Sequence, residues 1–312
     1  MKILRWLFFC FLSNIAVGTQ LNSIVVFGDS MSDNGNLYEY LKHQLPSSPP
    51  YYDGRFSDGP VWIENIAKMY YPTQTTAHLL DYAFGGAGIA EDDDVLFTLN
   101  REMQSYLLAH QQQADKNSLY VVWIGANNYL GIPKPEEIDS LTTTVIDGIQ
   151  SGLKKLVAAG AQHIMVMNLP NLGETPAAEL FAAADILQQC TELHNAKLFD
   201  TFAELKQEFP QVDWLLYDVS AVFNQVRQDP SRYGFTNIKD TCYDIALMHN
   251  EASTILSNPM LMIATQILLS VTPHVCDSYF YFDPVHPTAL THRILAHYVD
   301  EFLKNSNIEF VV

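Results

Sequence analysis

Three short segments constrain the architecture more than any other feature. Residues 23–27 (SIVVF), 119–124 (LYVVWI) and 163–168 (HIMVMN) read as strands apolar on both faces, and each runs straight into a polar turn. A strand that is apolar on both faces must be covered on both, which in practice means a parallel sheet with helices above and below it. Residues 214–217 form a weaker fourth segment of the same kind. Helical patterns lie between them at 60–69, 101–113, 140–159 and, as one long run, 177–209; a last helix at 288–303 has Pro287 near its first turn. This alternation predicts an α/β fold with a central parallel sheet. In such sheets ligands gather beyond the carboxyl ends of the strands, so any chemistry is expected just past Phe27 and Ile124.

The first residues read as an address rather than as part of that fold. Lys2 and Arg5 flank the start of an apolar run at 6–12 that is too short to span a bilayer, and Ala16 and Gly18 occupy the −3 and −1 positions of a signal-peptidase cut after Gly18. Residues 1–18 are therefore predicted to be a signal peptide, with the protein secreted to the periplasm or beyond it. No Pro/Gly/Ser linker, repeat or low-complexity tract divides residues 19–312, which are expected to form one domain.

Charge removes whole classes of partner. The chain carries −18, and without the leader 15 basic residues face 35 acidic ones, near −20. With no basic stripe, nucleic acid is excluded as a partner, and attraction to anionic lipid is disfavoured. Contact with a membrane surface has to be apolar, or made to zwitterionic or neutral lipid. Beyond the leader, Cys190, Cys242 and Cys276 match no metal-site spacing. Three cysteines allow three pairings; the expectation for an exported chain is a Cys242–Cys276 disulfide, with Cys190 left as a buried thiol.

Two segments carry the residue types of nucleophilic catalysis. Gly28-Asp29-Ser30 follows the first strand at once, where a serine hydroxyl and the amides around it project into the ligand crevice. Ser32 stands where the α/β-hydrolase elbow Gly-x-Ser-x-Gly has its second glycine, so that elbow is not the motif here. Far downstream, Asp283-Pro284-Val285-His286-Pro287 sets a carboxylate three residues from a histidine between two prolines. A histidine must take the serine proton, and a carboxylate must orient and stabilise the imidazolium that results. Two further turns offer oxyanion donors: Gly85-Gly86-Ala87-Gly88, where a backbone N–H can come close to a ligand, and Gly125-Ala126-Asn127-Asn128 at the end of the second strand.

The blocks FGDSMSDNGN, DYAFGGAGI, WIGANN and DPVHP stand in the order found in the GDSL, or SGNH, hydrolases, which this chain resembles over nearly its whole length beyond the leader. The resemblance implies the flavodoxin-like three-layer α/β/α fold. It further implies Ser30 as nucleophile and first oxyanion donor, Gly86 and Asn127 as the other donors, His286 as base and Asp283 as its partner. Residues 52–62 (YDGRFSDGPVW) resemble the subgroup of secreted bacterial phospholipases A, lysophospholipases A and glycerophospholipid–cholesterol acyltransferases, thermolabile haemolysins included. Met31 replaces the family's name-giving leucine, and Asn128 stands where aspartate is commoner.

The activity implied is lysophospholipase A, with phospholipase A and acyltransferase activity on the same site. The substrate is then a lysophospholipid or phospholipid met at a membrane surface, and no metal or organic cofactor is needed. Residues 254–271 are strongly apolar and lie between Cys242 and Cys276; they read either as a buried helix or, with 242–276 as a whole, as a lid or lipid-docking insertion that an activating protease could open. The alternative enzyme is a carbohydrate or short-acyl (acetyl) esterase, which the same four blocks also serve. The acidic run at 91–94 lacks the spaced ligands of a calcium loop and is expected to be a solvated turn.

Overall fold

The computed structural model describes residues 19–90, 97–243 and 275–311. The predicted leader at 1–18, the acidic run at 91–94 and residues 244–274 of the candidate lid lie outside them.

The chain opens with β1 (Thr19–Leu21), β2 (Ser23–Gly28), α1 (Asn36–Tyr40), α2 (Trp62–Tyr70), α3 (Thr75–His78) and β3 (Leu79–Asp81). It continues through α4 (Leu99–Ala109), β4 (Ser118–Trp123), α5 (Ala126–Tyr129), α6 (Ile138–Ala159), β5 (His163–Met167), α7 (Pro176–Leu180) and α8 (Ala184–Glu208). It closes with β6 (Asp213–Tyr217), α9 (Val219–Gln228), β7 (Asn237–Thr241), β8 (Tyr279–Tyr281), α10 (Ala289–Asn305) and β9 (Ile308–Phe310).

Five parallel strands make the central sheet, in the order β3-β2-β4-β5-β6. This is the 2-1-3-4-5 order of the flavodoxin-like folds, whose switch point lies between the first and third strands of that series, here β2 and β4. The predicted strands owe their character to this position: every residue of β4 and β5 is buried. Helices α4, α6 and α8 pack on one another on one side of the sheet, and α2 packs with α10 on the other. The fold is the expected three-layer α/β/α sandwich.

Several elements depart from the sequence expectation. The helix predicted over 177–209 is two, because the chain turns at Phe181–Ala183 with Ala182 at φ 50°. Ala183 N–H then donates to Ala178 O at 2.8 Å, closing α7 after five residues. Nothing in an alanine-rich stretch signals such a stop; the α7 N-terminus is held elsewhere, through Ala177 N–H to Pro284 O at 2.9 Å. Two small parallel pairs, β1 with β9 and β7 with β8, lie outside the main sheet and went unforeseen, as did β3 and α9. Cys242, just past β7, lies beside Tyr281 and Phe282 at the end of β8, and it is disulfide-bonded to Cys276 with Cα atoms 5.1 Å apart. Cys190 is free and buried on α8. Closing a loop of separation 34 removes denatured-state entropy equivalent to about 4 kcal/mol in the chain-entropy model.

Candidate active site

The turn after β2 is fixed from beneath. Ser32 N–H and Asp33 N–H both return to Asp29 O, at 2.9 and 3.0 Å, while Met31 N–H caps on Asp29 Oδ1 at 3.0 Å. Gly28, the last residue of β2, has no room for a side chain, since a Cβ there would stand 2.4 Å from Trp123 O on β4. Its N–H donates to Glu102 Oε2 of α4 at 2.9 Å. Ser30 is thereby presented at the switch point, 4% exposed.

Asp33 locks this turn to the glycine-rich turn after β3. Its Oδ1 accepts Gly35 N–H and Asn36 N–H (2.8 and 2.6 Å), and its Oδ2 accepts Leu37 N–H and Gly85 N–H (3.2 and 2.7 Å). Burial pushes Asp33 up to about 6 against the pull of those four amides, so it is ionised at neutral pH. Asp29 is also pushed up to about 6 by burial. On both turns the flanking amides are occupied, and among the described residues neither Ser30 N–H nor Gly86 N–H meets an acceptor. Gly86 sits exposed at φ 79°, a left-handed backbone that aims its amide away from its neighbours' bonds. Asn127, in the short helix after β4, spends one amide proton on Ala87 O at 2.8 Å, which ties it to the same turn. Asn128, next to it, holds Ile89 through both N–H and C=O, at 2.9 and 2.7 Å.

The downstream loop is as tightly made. Phe282 N–H and Thr288 N–H bond back to His286 O and Phe280 O, at 2.8 and 2.9 Å, so residues 282–287 form a closed turn after β8. Asp283 Oδ1 accepts the amides of Val285 and His286, at 2.9 and 2.7 Å, an Asx-type arrangement that folds the carboxylate onto its own loop. Its Oδ2 then meets His286 Nδ1 at 2.6 Å, and His286 Nε2 meets Ser30 Oγ at 2.8 Å. Asp283 is 0% and His286 1% exposed. An Nδ1–H facing the carboxylate leaves the Nε2 lone pair for the serine hydroxyl.

The site uses residues the sequence did not single out. Tyr51 donates its hydroxyl to Asp283 Oδ2 at 2.7 Å. Ser57 donates to Pro287 O at 2.9 Å, Asp58 accepts Ala289 N–H at 2.7 Å, and Trp62 Nε1–H reaches Ser32 Oγ at 3.1 Å. Residues 51–62 therefore brace the downstream loop and the nucleophile turn together, which gives the resemblance noted for 52–62 a physical content.

Ser30, Asn127 and His286 line one cleft that is open to solvent, with an enclosed volume of about 50 Å³. Its walls are mostly apolar, from Met31, Trp123, Leu130, Leu169, Leu172 and Phe223, with Tyr281 of the aromatic run 279–282 among them. Gly86 is exposed and is not part of the cavity wall.

A flavodoxin-like sheet with serine, histidine and aspartate hydrogen-bonded in series at its switch point defines a class, the carboxylic ester hydrolases. Residues 24–299 match the model of the GDSL-like lipase/acylhydrolase family, and the chain belongs to that family. The phosphatidylcholine-sterol acyltransferase of Aeromonas hydrophila is 28% identical over 341 residues, covering 98% of this chain and 99% of that protein. The secreted effector protein SseJ of Salmonella typhimurium is 26% identical over 93% of this chain, and the thermolabile hemolysin of Vibrio parahaemolyticus 25% identical over 92%. The chain spans 65% and 64% of the length of these last two. A crystal structure of a lipolytic G-D-S-L family member from Veillonella parvula shares the fold, with a TM-score of 0.50 at 12% identity over 90% of this chain and 98% of that one. The family and bacterial subgroup expected from the sequence are those found.

Proposed function

We propose that this enzyme hydrolyses carboxylic esters of lipids, foremost lysophospholipids, through an acyl-enzyme on Ser30. The observation that carries this is the unbroken series Asp283 Oδ2–His286–Ser30 Oγ, at 2.6 and 2.8 Å, opening onto a largely apolar cavity. His286 takes the Ser30 proton as Oγ attacks the ester carbonyl. The resulting oxyanion is held by the Ser30 and Gly86 amides and by the Asn127 side chain, whose other N–H is engaged with Ala87 O. His286 next protonates the departing glycerol oxygen, which releases the deacylated glycerophosphodiester, and then activates water against the acyl-enzyme. An alcohol in place of that water gives acyl transfer instead, the activity in the name of the Aeromonas relative.

Apolar walls favour an acyl chain over an acetyl group, because each buried methylene is worth about 0.8 kcal/mol in such a cavity. A negatively charged chain has no electrostatic hold on anionic lipid, which favours zwitterionic head groups such as phosphocholine. Export, with residues 1–18 as signal peptide, belongs to the same proposal; a mature N-terminus at Thr19 by mass spectrometry is the expected result.

The test compares wild type with Ser30→Ala for fatty-acid release from lysophosphatidylcholine and for cleavage of p-nitrophenyl acetate. Lysolipid hydrolysis that vanishes in the variant is expected. Cleavage of the acetate alone would move the substrate to short-acyl esters. Lysolipid hydrolysis that survives the substitution would remove Ser30 from the mechanism.

A further inference from the structure

The carboxylate of Asp283 is over-provided with donors for a simple partner of histidine. Oδ1 takes two backbone amides, and Oδ2 takes His286 Nδ1–H together with the phenol of Tyr51, a residue 232 positions away in the chain. Tyr51 is 1% exposed, and its ring is wedged edge-on against Phe56 and Phe282, with centroids 5.9 and 5.0 Å apart.

We propose that Tyr51 is a positioning residue of this site, whose hydroxyl fixes the plane of the Asp283 carboxylate and draws charge from Oδ2, and so sets how strongly Asp283 holds the His286 imidazolium. The inference rests on the Ser30–His286–Asp283 reading above and goes beyond it. An oxygen that shares its lone pairs between two donors offers each less charge than it would offer one. Without the phenol, Oδ2 would bind Nδ1–H more tightly, and the imidazolium would be easier to form and harder to deprotonate. The phenol remains a donor at every working pH, since burial and the adjacent carboxylate push its titration well above the usual range.

The titratable groups facing this pair from other elements are few. Asp29 lies across the nucleophile turn and is pushed up to about 6 by burial, opposed in part by His286 itself. His292 on α10 is held down at about 3 by burial and by His286. Tyr243, stacked on Phe282 with centroids 5.6 Å apart, acts on Tyr51. None of these side chains is changed when the Tyr51 oxygen alone is removed, so a difference between wild type and Tyr51→Phe reports on that oxygen.

The experiment records kcat and KM against pH for wild type and Tyr51→Phe on a soluble p-nitrophenyl ester, with the low-field proton NMR signal of His286 Nδ1–H as a readout that needs no turnover. In the variant the midpoint of the acid limb is expected to rise by about 0.5–1 pH unit, the equivalent of one hydrogen bond. The expected fall in kcat is about three- to tenfold at unchanged KM, because the carboxylate that orients His286 is no longer held in its plane. The Nδ1 proton signal should move downfield. Site-specific 3-fluorotyrosine at 51, a stronger donor of nearly the same size, should move the midpoint and the signal the opposite way, and it serves if the phenylalanine variant does not fold. An acid limb and Nδ1 signal that stay in place in either variant would overturn the role, leaving Tyr51 as packing alone. Activity that survives in Ser30→Ala would instead strike at the nucleophile reading, while the Nδ1 signal would still decide whether Tyr51 acts on the Asp283–His286 pair.

Discussion

The loop that carries His286 and the helix α8 that carries His194 both sink an imidazole almost completely, at 1% and 0% exposed, yet they give it opposite surroundings. His194 has the Tyr129 hydroxyl on Nδ1 at 2.9 Å and, among the described residues, nothing on Nε2. Burial holds it down at about 3, so it is neutral at any physiological pH and behaves as a packed core group. His292 on α10 repeats the pattern, accepting Trp62 N–H at 3.2 Å with no partner for Nε2. His286 differs from both in having the Asp283 carboxylate on Nδ1 and the Ser30 hydroxyl on Nε2. Burial alone therefore makes a histidine inert in this protein. A carboxylate on one nitrogen and a serine hydroxyl on the other are what the proposed base has besides burial.

The sharpest way to break that contrast is to give His286 the surroundings of His194. Asp283→Asn keeps the shape but offers an amide to Nδ1, which selects the wrong tautomer, and kcat is expected to fall about 10⁴-fold. A loss of less than about tenfold in single-turnover acylation would mean that the carboxylate is not what separates the two sites.

A smaller effect tests the other half of the contrast. His194→Gln should leave kcat within about twofold, because no step needs that ring. Its mark should be on acid stability. The folded-state pKa of His194 lies below the unfolded value, so its contribution is fully present above pH 6.5 and is lost as pH falls toward about 3. Over that window the slope of unfolding free energy against pH should drop in the variant by about 1.4 kcal/mol per pH unit, one proton's worth. Equal slopes in denaturant titrations would show that His194 is charged in the fold after all.

Least of all, Tyr129→Phe removes the one hydrogen bond the His194 ring makes among the described residues. It should lower stability by about 1 kcal/mol with activity unchanged. A rise in the acid-side stability of this variant would contradict the view that the ring is held neutral by burial rather than by its phenol partner.

Short-range chemistry was enough to foresee a good part of the molecule. Strands apolar on both faces can only be central and parallel, and residues 23–27, 119–124 and 163–168 lie within or overlap β2, β4 and β5. The placement of Ser30 and Asn127 past the ends of β2 and β4 was legible for the same reason. The Asp283–His286 spacing could be read because three residues in one turn bring the two side chains together through the carboxylate's own bonds to the loop.

What the sequence left undecided depended on distant parts of the chain meeting. Three-residue strands such as β1, β3 and β9 carry too few residues for a pattern and exist only because a partner strand is present. The break at Ala182 opposes local helix propensity and is closed by Ala183 N–H to Ala178 O, while the start of α7 is tied to the loop at Pro284. Among three cysteines, the pairing is decided by the approach of Cys242 and Cys276, 34 residues apart in the chain, to a Cα separation of 5.1 Å. Tyr51 and Asp33 look like turn and loop residues in isolation. Only packing shows that one grips the Asp283 carboxylate from 232 residues away and that the other gathers four amides from two turns. Which residues the chain could use was written locally, in periodicity and turn chemistry. Which hydrogen bonds each buried polar atom would find was a matter of three-dimensional neighbours, because a desolvated group takes its pKa and its role from what the fold sets against it.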